Sequence, residues 1–169
     1  MDVDNGTFDY AVNGITQSKT ITRQLFGTPA PRCTFGLQRN LAAATNYQDL
    51  WWAAPAGSES GWGINFTHQG NIIFATWFTY DLAGAPLWMI VTAGEGAPGV
   101  YAGTLYATTG PPFSAVPFNP ASVTLTAVGS ASFTFADGNH ASFAYTVNGA
   151  TQTKQITRQI FRPPGTLCQ

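Results

Sequence analysis

From residue 61 onward the chain alternates between short runs of apolar, aromatic and Thr-rich composition and clusters of Gly, Pro, Asn and Asp. Runs of this kind read as β-strands, and the clusters are the residues that tight turns demand. The runs fall at about 61–68, 71–80, 87–95, 100–108, 122–128, 130–136, 141–148 and 151–161. Gln69-Gly70, Ala83-Gly84, Gly99, Gly129, Asp137-Gly138 and Asn148-Gly149 stand between them, with a Pro-rich stretch at 111–120. Asn-Gly and Asp-Gly between such runs are strong hairpin signals. The densest stretch, 61–91, reads as three strands joined by turns at His68-Gln69-Gly70-Asn71 and at 81–86. Within its second strand Ile73, Ala75, Trp77 and Thr79 share one face, while Ile72, Phe74, Thr76, Phe78 and Tyr80 share the other. Both faces are apolar enough to be covered.

Eight strands linked mainly by hairpins predict an all-β, antiparallel up-and-down meander. Closing it into a barrel removes both exposed edges, and eight strands leave an interior just wide enough for side chains or one small ligand. A two-sheet sandwich is the second architecture the pattern permits, with loop 109–121 carrying the chain between sheets. Residues 34–60 lack the alternation and read as an irregular lead-in, with a turn of helix between 37 and 46 and the pair Trp51-Trp52 before a Pro-Gly turn. Adjacent tryptophans in extended chain point to opposite sides, so one of the two is expected on the outside.

The chain also repeats itself. Residues 2–33 and 137–168 align without a gap, and half of the aligned positions are identical. Phe8, Tyr10, Val12, Asn13 and Gly14 recur as Phe143, Tyr145, Val147, Asn148 and Gly149. Gln17, Lys19, Ile21 and Arg23 recur as Gln152, Lys154, Ile156 and Arg158, and each copy runs through a Pro-containing linker to Cys33 or Cys168. A period of domain size means tandem domains rather than a solenoid. Residues 34–168 are then one complete repeat, and 1–33 the last hairpin and linker of a preceding repeat. That hairpin is expected to pair with an open edge of the complete unit, or to swap into a second chain and form a homodimer.

Only 9 % of residues are charged and the net charge is −1, with two lysines, so no nucleic-acid partner is expected. No run of about 18 apolar residues exists to span a membrane as a helix. A membrane barrel is disfavoured because the last strand, rich in Lys, Arg, Gln and Thr, offers no lipid-facing band. The first residues lack the basic and apolar regions of a signal peptide, so an exported protein is expected to carry its signal upstream. Cys33 and Cys168 end equivalent linkers, and in a closed meander the two ends of the unit meet. An intramolecular disulfide is expected, the alternatives being bonds to neighbouring repeats or free thiols.

Chemistry-bearing residues are few. No phosphate loop, nucleophile elbow or paired metal motif occurs, and neither a cofactor nor a metal site is expected. His68, at an expected hairpin tip, is either a general base in a barrel mouth beside Ser60, Glu59 or Asp81, or an exposed turn histidine. Lys154 and Arg158 recur in both copies and read as solvated strand ends or as partners of Asp137, whose counterpart is Asp2. The aromatics form the better site: Trp52, Trp62, Trp77, Trp88 and Tyr80 present flat faces to a sugar ring or an apolar ligand, with Asn65, Gln69 and Asp81 as polar partners. At least three of the five tryptophans are expected to be core.

Trp51-Trp52, Glu59-Ser60-Gly61-Trp62-Gly63-Ile64-Asn65, His68-Gln69-Gly70 and Trp77-Phe78-Thr79-Tyr80-Asp81 followed by Gly84, Pro86 and Trp88 carry a resemblance. The stretch resembles a Trp-rich β module that recurs, sometimes in tandem, in exported proteins of Gram-negative bacteria. In outline the meander is also similar to avidin- and lipocalin-type barrels. The first resemblance implies export and modularity, and neither implies a reaction. Three functions follow from the residues. The first is an extracellular binding module for a glycan or small apolar ligand, the second a weak hydrolase of activated esters using His68, and the third a structural tandem spacer.

Overall fold

The computed structural model describes residues 4–169, and among these the chain forms twelve strands and two single turns of 3-10 helix. In chain order the first strands are β1 (Asn5–Val12), β2 (Ile15–Thr22), β3 (Cys33–Gln38) and β4 (Asp49–Ala53). β5 (Gly63–Gln69), β6 (Ile72–Tyr80), β7 (Pro86–Ala97) and β8 (Val100–Thr109) follow. The last are β9 (Thr124–Phe135), β10 (His140–Val147), β11 (Ala150–Arg158) and β12 (Gly165–Cys168). Strands β4 to β11 pair each with the next, and β11 pairs with β4, closing an eight-stranded antiparallel up-and-down barrel. The sandwich alternative is thereby set aside.

The membership of the barrel differs from the sequence pattern in two places. Trp51-Trp52 belongs to β4, a strand of only five residues whose alternation is too brief to register as a pattern. Conversely, Gly129 does not separate two strands. β9 runs straight through it, and a Cβ there would fall 1.7 Å from the carbonyl oxygen of Thr146 on β10. The glycine serves close backbone approach beside a bulge, where the register against β8 shifts, rather than a turn.

Inside the barrel the alternation resolves cleanly. Ile64 and Phe66, Ile73 and Ala75, Met89 and Val91, Leu105, Phe133, Phe143 and Ile156 are all buried. Phe133 stacks on Phe143 at 4.9 Å between centroids, and Phe66 meets Phe133 edge-on at 4.8 Å. Each such side chain contributes roughly 1.5–3 kcal/mol by leaving water. The middle of the barrel is therefore filled by its own residues. On β4, Trp51 points inward and Trp52 lies half-buried on the outer side.

One end of the barrel is sealed by the segment 39–48. The Tyr47 ring lies flat between Phe135, at 3.6 Å, and His68, at 5.4 Å. Arg158, at the end of β11, is buried here. Its Nε donates to the carbonyl of Gly138, Nη1 to the carbonyl of Gln48 and to Asp49 Oδ2 at 3.1 Å, and Nη2 to the carbonyl of Asn46. The guanidinium also sits 5.2 Å from the Trp51 ring. Burial lowers its pKa, which the Asp49 carboxylate opposes. The expected pairing of Lys154 and Arg158 with Asp137 is thus overturned: Arg158 takes Asp49, Lys154 takes Glu59, and Asp137 takes His140. Asp2 lies outside the described residues.

The hairpin β1–β2 pairs only with itself. Its register repeats that of β10–β11 position by position, Phe8 opposite Lys19 as Phe143 is opposite Lys154. Both turns place Asn at φ 49° or 48° and then Gly in the left-handed region, the requirement of a two-residue type I′ turn. The expected pairing of this hairpin with an open barrel edge does not occur, because closure leaves none. Its linker is held instead by Gln69, a buried residue on the barrel wall. The amide Oε1 accepts from the backbone N–H groups of Phe26 and Gly27, and Nε2 donates to the carbonyl of Gln24. A Cβ at Gly27 would lie 2.2 Å from the Gln69 carbonyl oxygen, so the counterpart Arg162 is unfit for this seat. Cys33 and Cys168 are joined by a disulfide that clips β3 to β12.

Arg158→Ala leaves Asp49 and three carbonyls without their partner, and is expected to cost about 3 kcal/mol, lowering Tm by about 6–12 °C. The equivalent Arg23→Ala on the exposed hairpin removes a solvated pair with Asp4 and is expected to cost less than about 1 kcal/mol. Calorimetry of the two variants separates these outcomes. Reducing the Cys33–Cys168 bond, which closes a separation of 135 residues, is expected to cost about 4–5 kcal/mol on the chain-entropy account, measured as a shift of the denaturant midpoint.

Candidate functional site

Opposite the sealed end the barrel opens. β5 starts here, β6 ends here, and the β6–β7 and β10–β11 turns project beyond the rim. The mouth encloses a cavity of about 310 Å³, within the size range of small-molecule sites. Trp62, Trp77, Leu87, Met89 and Tyr145 form its floor and walls, above the packed interior. Trp77 lies 4.5 Å from Tyr145 and meets Trp62 edge-on at 6.3 Å. Both tryptophans are buried, yet neither indole Nε1 has a hydrogen-bond partner within the protein. Trp51, by contrast, donates to the carbonyl of Tyr47. Trp52 Nε1 and Asn139 Oδ1, neither of them at the mouth, are likewise buried without a partner, each at a cost of about 1–3 kcal/mol.

The rim is polar. Lys154 Nζ donates to Glu59 Oε1 at 2.6 Å and lies 5.9 Å from the Trp62 ring centroid. The Tyr145 hydroxyl donates to Gln152 Oε1, and burial raises the Tyr145 pKa, keeping the phenol protonated at neutral pH. Asp81 also lines the mouth, but its Oδ1 accepts from the backbone N–H groups of Ala83 and Ala85 and so shapes the turn. Two carboxylates and one ammonium leave the rim with a formal charge of −1.

The other candidates are dispersed. His68 sits at the sealed end, 5 % exposed, and not with Ser60, Glu59 or Asp81. Its Nδ1 accepts from the Tyr47 N–H at 3.1 Å, which leaves the ring proton on Nε2 facing the Gly70 carbonyl at 3.0 Å and the Tyr101 hydroxyl at 3.3 Å. His68 is thus neither a mouth base nor an exposed turn residue: it is part of the plug. The expectation failed because the sequence placed it at a turn without showing that segment 39–48 folds over that turn. Trp88 and Asn65 are exposed on the barrel's outer wall, Trp52 is half-buried there, and Gln69 holds the linker. Tyr80 reaches the rim, its hydroxyl 3.4 Å from the Ser60 carbonyl.

Of the expected ligand residues, the structure brings Trp62, Trp77, Tyr80 and Asp81 to one cavity, together with Glu59, expected only as a partner of His68. Tyr145, Gln152 and Lys154 join them from the far side of the barrel. Their signal was the internal repeat, which returns all three as Tyr10, Gln17 and Lys19. No cluster of three or more His, Cys, Asp or Glu residues able to hold a metal occurs among the described residues. No helix among them is long and apolar enough to cross a membrane. Comparison with protein-family models, with curated proteins and with solved structures finds no match.

Burial lowers the His68 pKa, opposed by the hydrogen bond to Gly70. The unfolded chain therefore binds a proton at this residue more readily than the folded one. Stability from neutral His68 is complete above about pH 6.5 and falls as the pH drops below it. Thermal midpoints are expected to decline from pH 7 to pH 5, with a shallower decline in His68→Phe over the same window.

Proposed function

We propose that the protein is a binding module whose barrel mouth takes a small, neutral ligand with a flat apolar face, such as a pyranose ring of a glycan or an apolar molecule of similar size. The observation that supports this reading is the open cavity lined by the aromatic and apolar side chains of Trp62, Trp77, Leu87, Met89 and Tyr145. The aromatic floor favours stacking, and Glu59, Asp81 and Gln152 at the rim accept hydrogen bonds from ligand hydroxyls. The slightly negative rim disfavours anions. Within the barrel the ligand would be confined to the mouth, since the interior beneath it is filled and the other end is sealed.

The hydrolase reading has no comparable support, because its histidine is committed to the plug at the other end of the barrel. Export, implied by the module resemblance and suited to the Cys33–Cys168 disulfide, would place the module outside the cytosol.

Titration with neutral oligosaccharides and with the neutral fluorophore N-phenyl-1-naphthylamine is expected to change tryptophan emission saturably at one site per chain. Trp77→Ala is expected to weaken binding tenfold or more, about 1.4 kcal/mol or above, while Trp88→Ala on the outer wall leaves it unchanged. Equal losses in the two variants, or no saturable signal with any probe, would count against the mouth.

A further inference from the structure

The hairpin β1–β2 carries a face that this barrel does not use. Phe8 and Ile21 are about half exposed, at 54 % and 51 %. Their counterparts Phe143 and Ile156 are at 0 % and 1 %, inside the barrel. Among the described residues loop 113–118 touches the rim of that face: the Tyr10 hydroxyl oxygen lies 3.0 Å from the Phe113 carbonyl, Gln17 Nε2 donates to the Ser114 carbonyl, and Lys19 lies over Phe118.

The correspondence extends beyond composition. The two hairpins share register, turn conformation and the Tyr-to-Gln hydrogen bond that links Tyr10 to Gln17 and Tyr145 to Gln152. In the barrel, Tyr145, Asn148, Gln152 and Lys154 make one wall of the mouth cavity. Tyr10, Asn13, Gln17 and Lys19 hold the same positions in the free hairpin. Among the described residues, stretches 6–12 and 15–22 of the hairpin ladder only with each other, where β10 and β11 also bond to β9 and β4.

We propose that β1–β2 is the closing hairpin of a second barrel, and that it docks on a six-stranded sheet of the same kind as β4–β9, contributing the Tyr10, Gln17 and Lys19 wall of a second mouth. The occupant follows from the face itself. A sheet like β4–β9 offers two unpaired edges, the β4 side and the β9 side, and an apolar interior lacking one Phe and one Ile. The hairpin supplies the outer edges of stretches 6–12 and 15–22, with Phe8 and Ile21 between them. Lys19 would meet the counterpart of Glu59, as Lys154 does here. That the second mouth binds a ligand rests on the reading proposed above for the first. The structural docking does not.

The test extends the full chain by a second copy of residues 34–135 placed directly ahead of Met1, so that Met1 stands where Ala136 follows in the parent barrel. Amide hydrogen exchange of residues 5–22 is expected to slow at least a hundredfold relative to the unextended chain. N-phenyl-1-naphthylamine stoichiometry is expected to rise from one to two per chain. A Phe8→Asp substitution in the extended chain is expected to abolish both effects. Unchanged exchange at 5–22 would overturn the proposal. So would a short extension that stays unfolded while a longer one, residues 34–164 with its own hairpin, folds. If the hairpin becomes protected and the probe binds neither mouth, the docking stands and the ligand reading falls.

Discussion

The barrel depends on its last seam. Seven of its eight strand pairs join neighbours in sequence, whereas β11 must find β4 across the whole unit, and the two share only three paired positions. β4 is also the shortest barrel strand, so hydrogen bonds alone give this seam little. Arg158 makes up the deficit. Standing on β11, it binds carbonyls and a carboxylate on segment 46–49 and a carbonyl at the β9–β10 turn, so that three separate pieces of chain converge on one cation. A buried cation is costly unless it is well paired, and here four of the five guanidinium N–H groups have acceptors, at least one on each nitrogen. The Cys33–Cys168 bond fastens the same two ends from outside the barrel.

This arrangement divides the barrel into ends with opposite characters. At the sealed end His68, Gln69 and Arg158 all hold backbone groups in place. At the mouth, Trp62, Trp77 and Tyr145 line a cavity that the barrel's own side chains leave open. Histidine and arginine are spent on structure at the sealed end, and the aromatic lining of the mouth is where space for a ligand remains. Histidine chemistry and aromatic recognition were both legible as candidates, and the division between the ends is what separates them.

The repeat gives the same lesson from another direction. One sequence pattern occurs twice, and its two copies have opposite burial: Phe143 is enclosed and Phe8 is not. Local structure is identical in both, down to the turn dihedrals, so the hairpin is encoded locally by Asn-Gly and by its cross-strand pairs. Burial depends on six further strands.

From sequence alone came the all-β class, most strand positions, the closed meander and the likeness of the two hairpins, because period-2 alternation and turn chemistry are local signals. Trp62 and Trp77 were likewise marked, since aromatic residues stand out wherever they occur. The tertiary structure decided the rest. It recruited Trp51-Trp52 into a strand too short to show a pattern, ran β9 through Gly129, and folded segment 39–48 over one end so that His68 became buried packing rather than a mouth base. It also brought Lys154 to Glu59 across 95 positions of sequence, completing a cavity whose two walls are encoded far apart. Which faces point inward, and which end stays open, are properties of closure, and closure is a relation between residues that no local window contains.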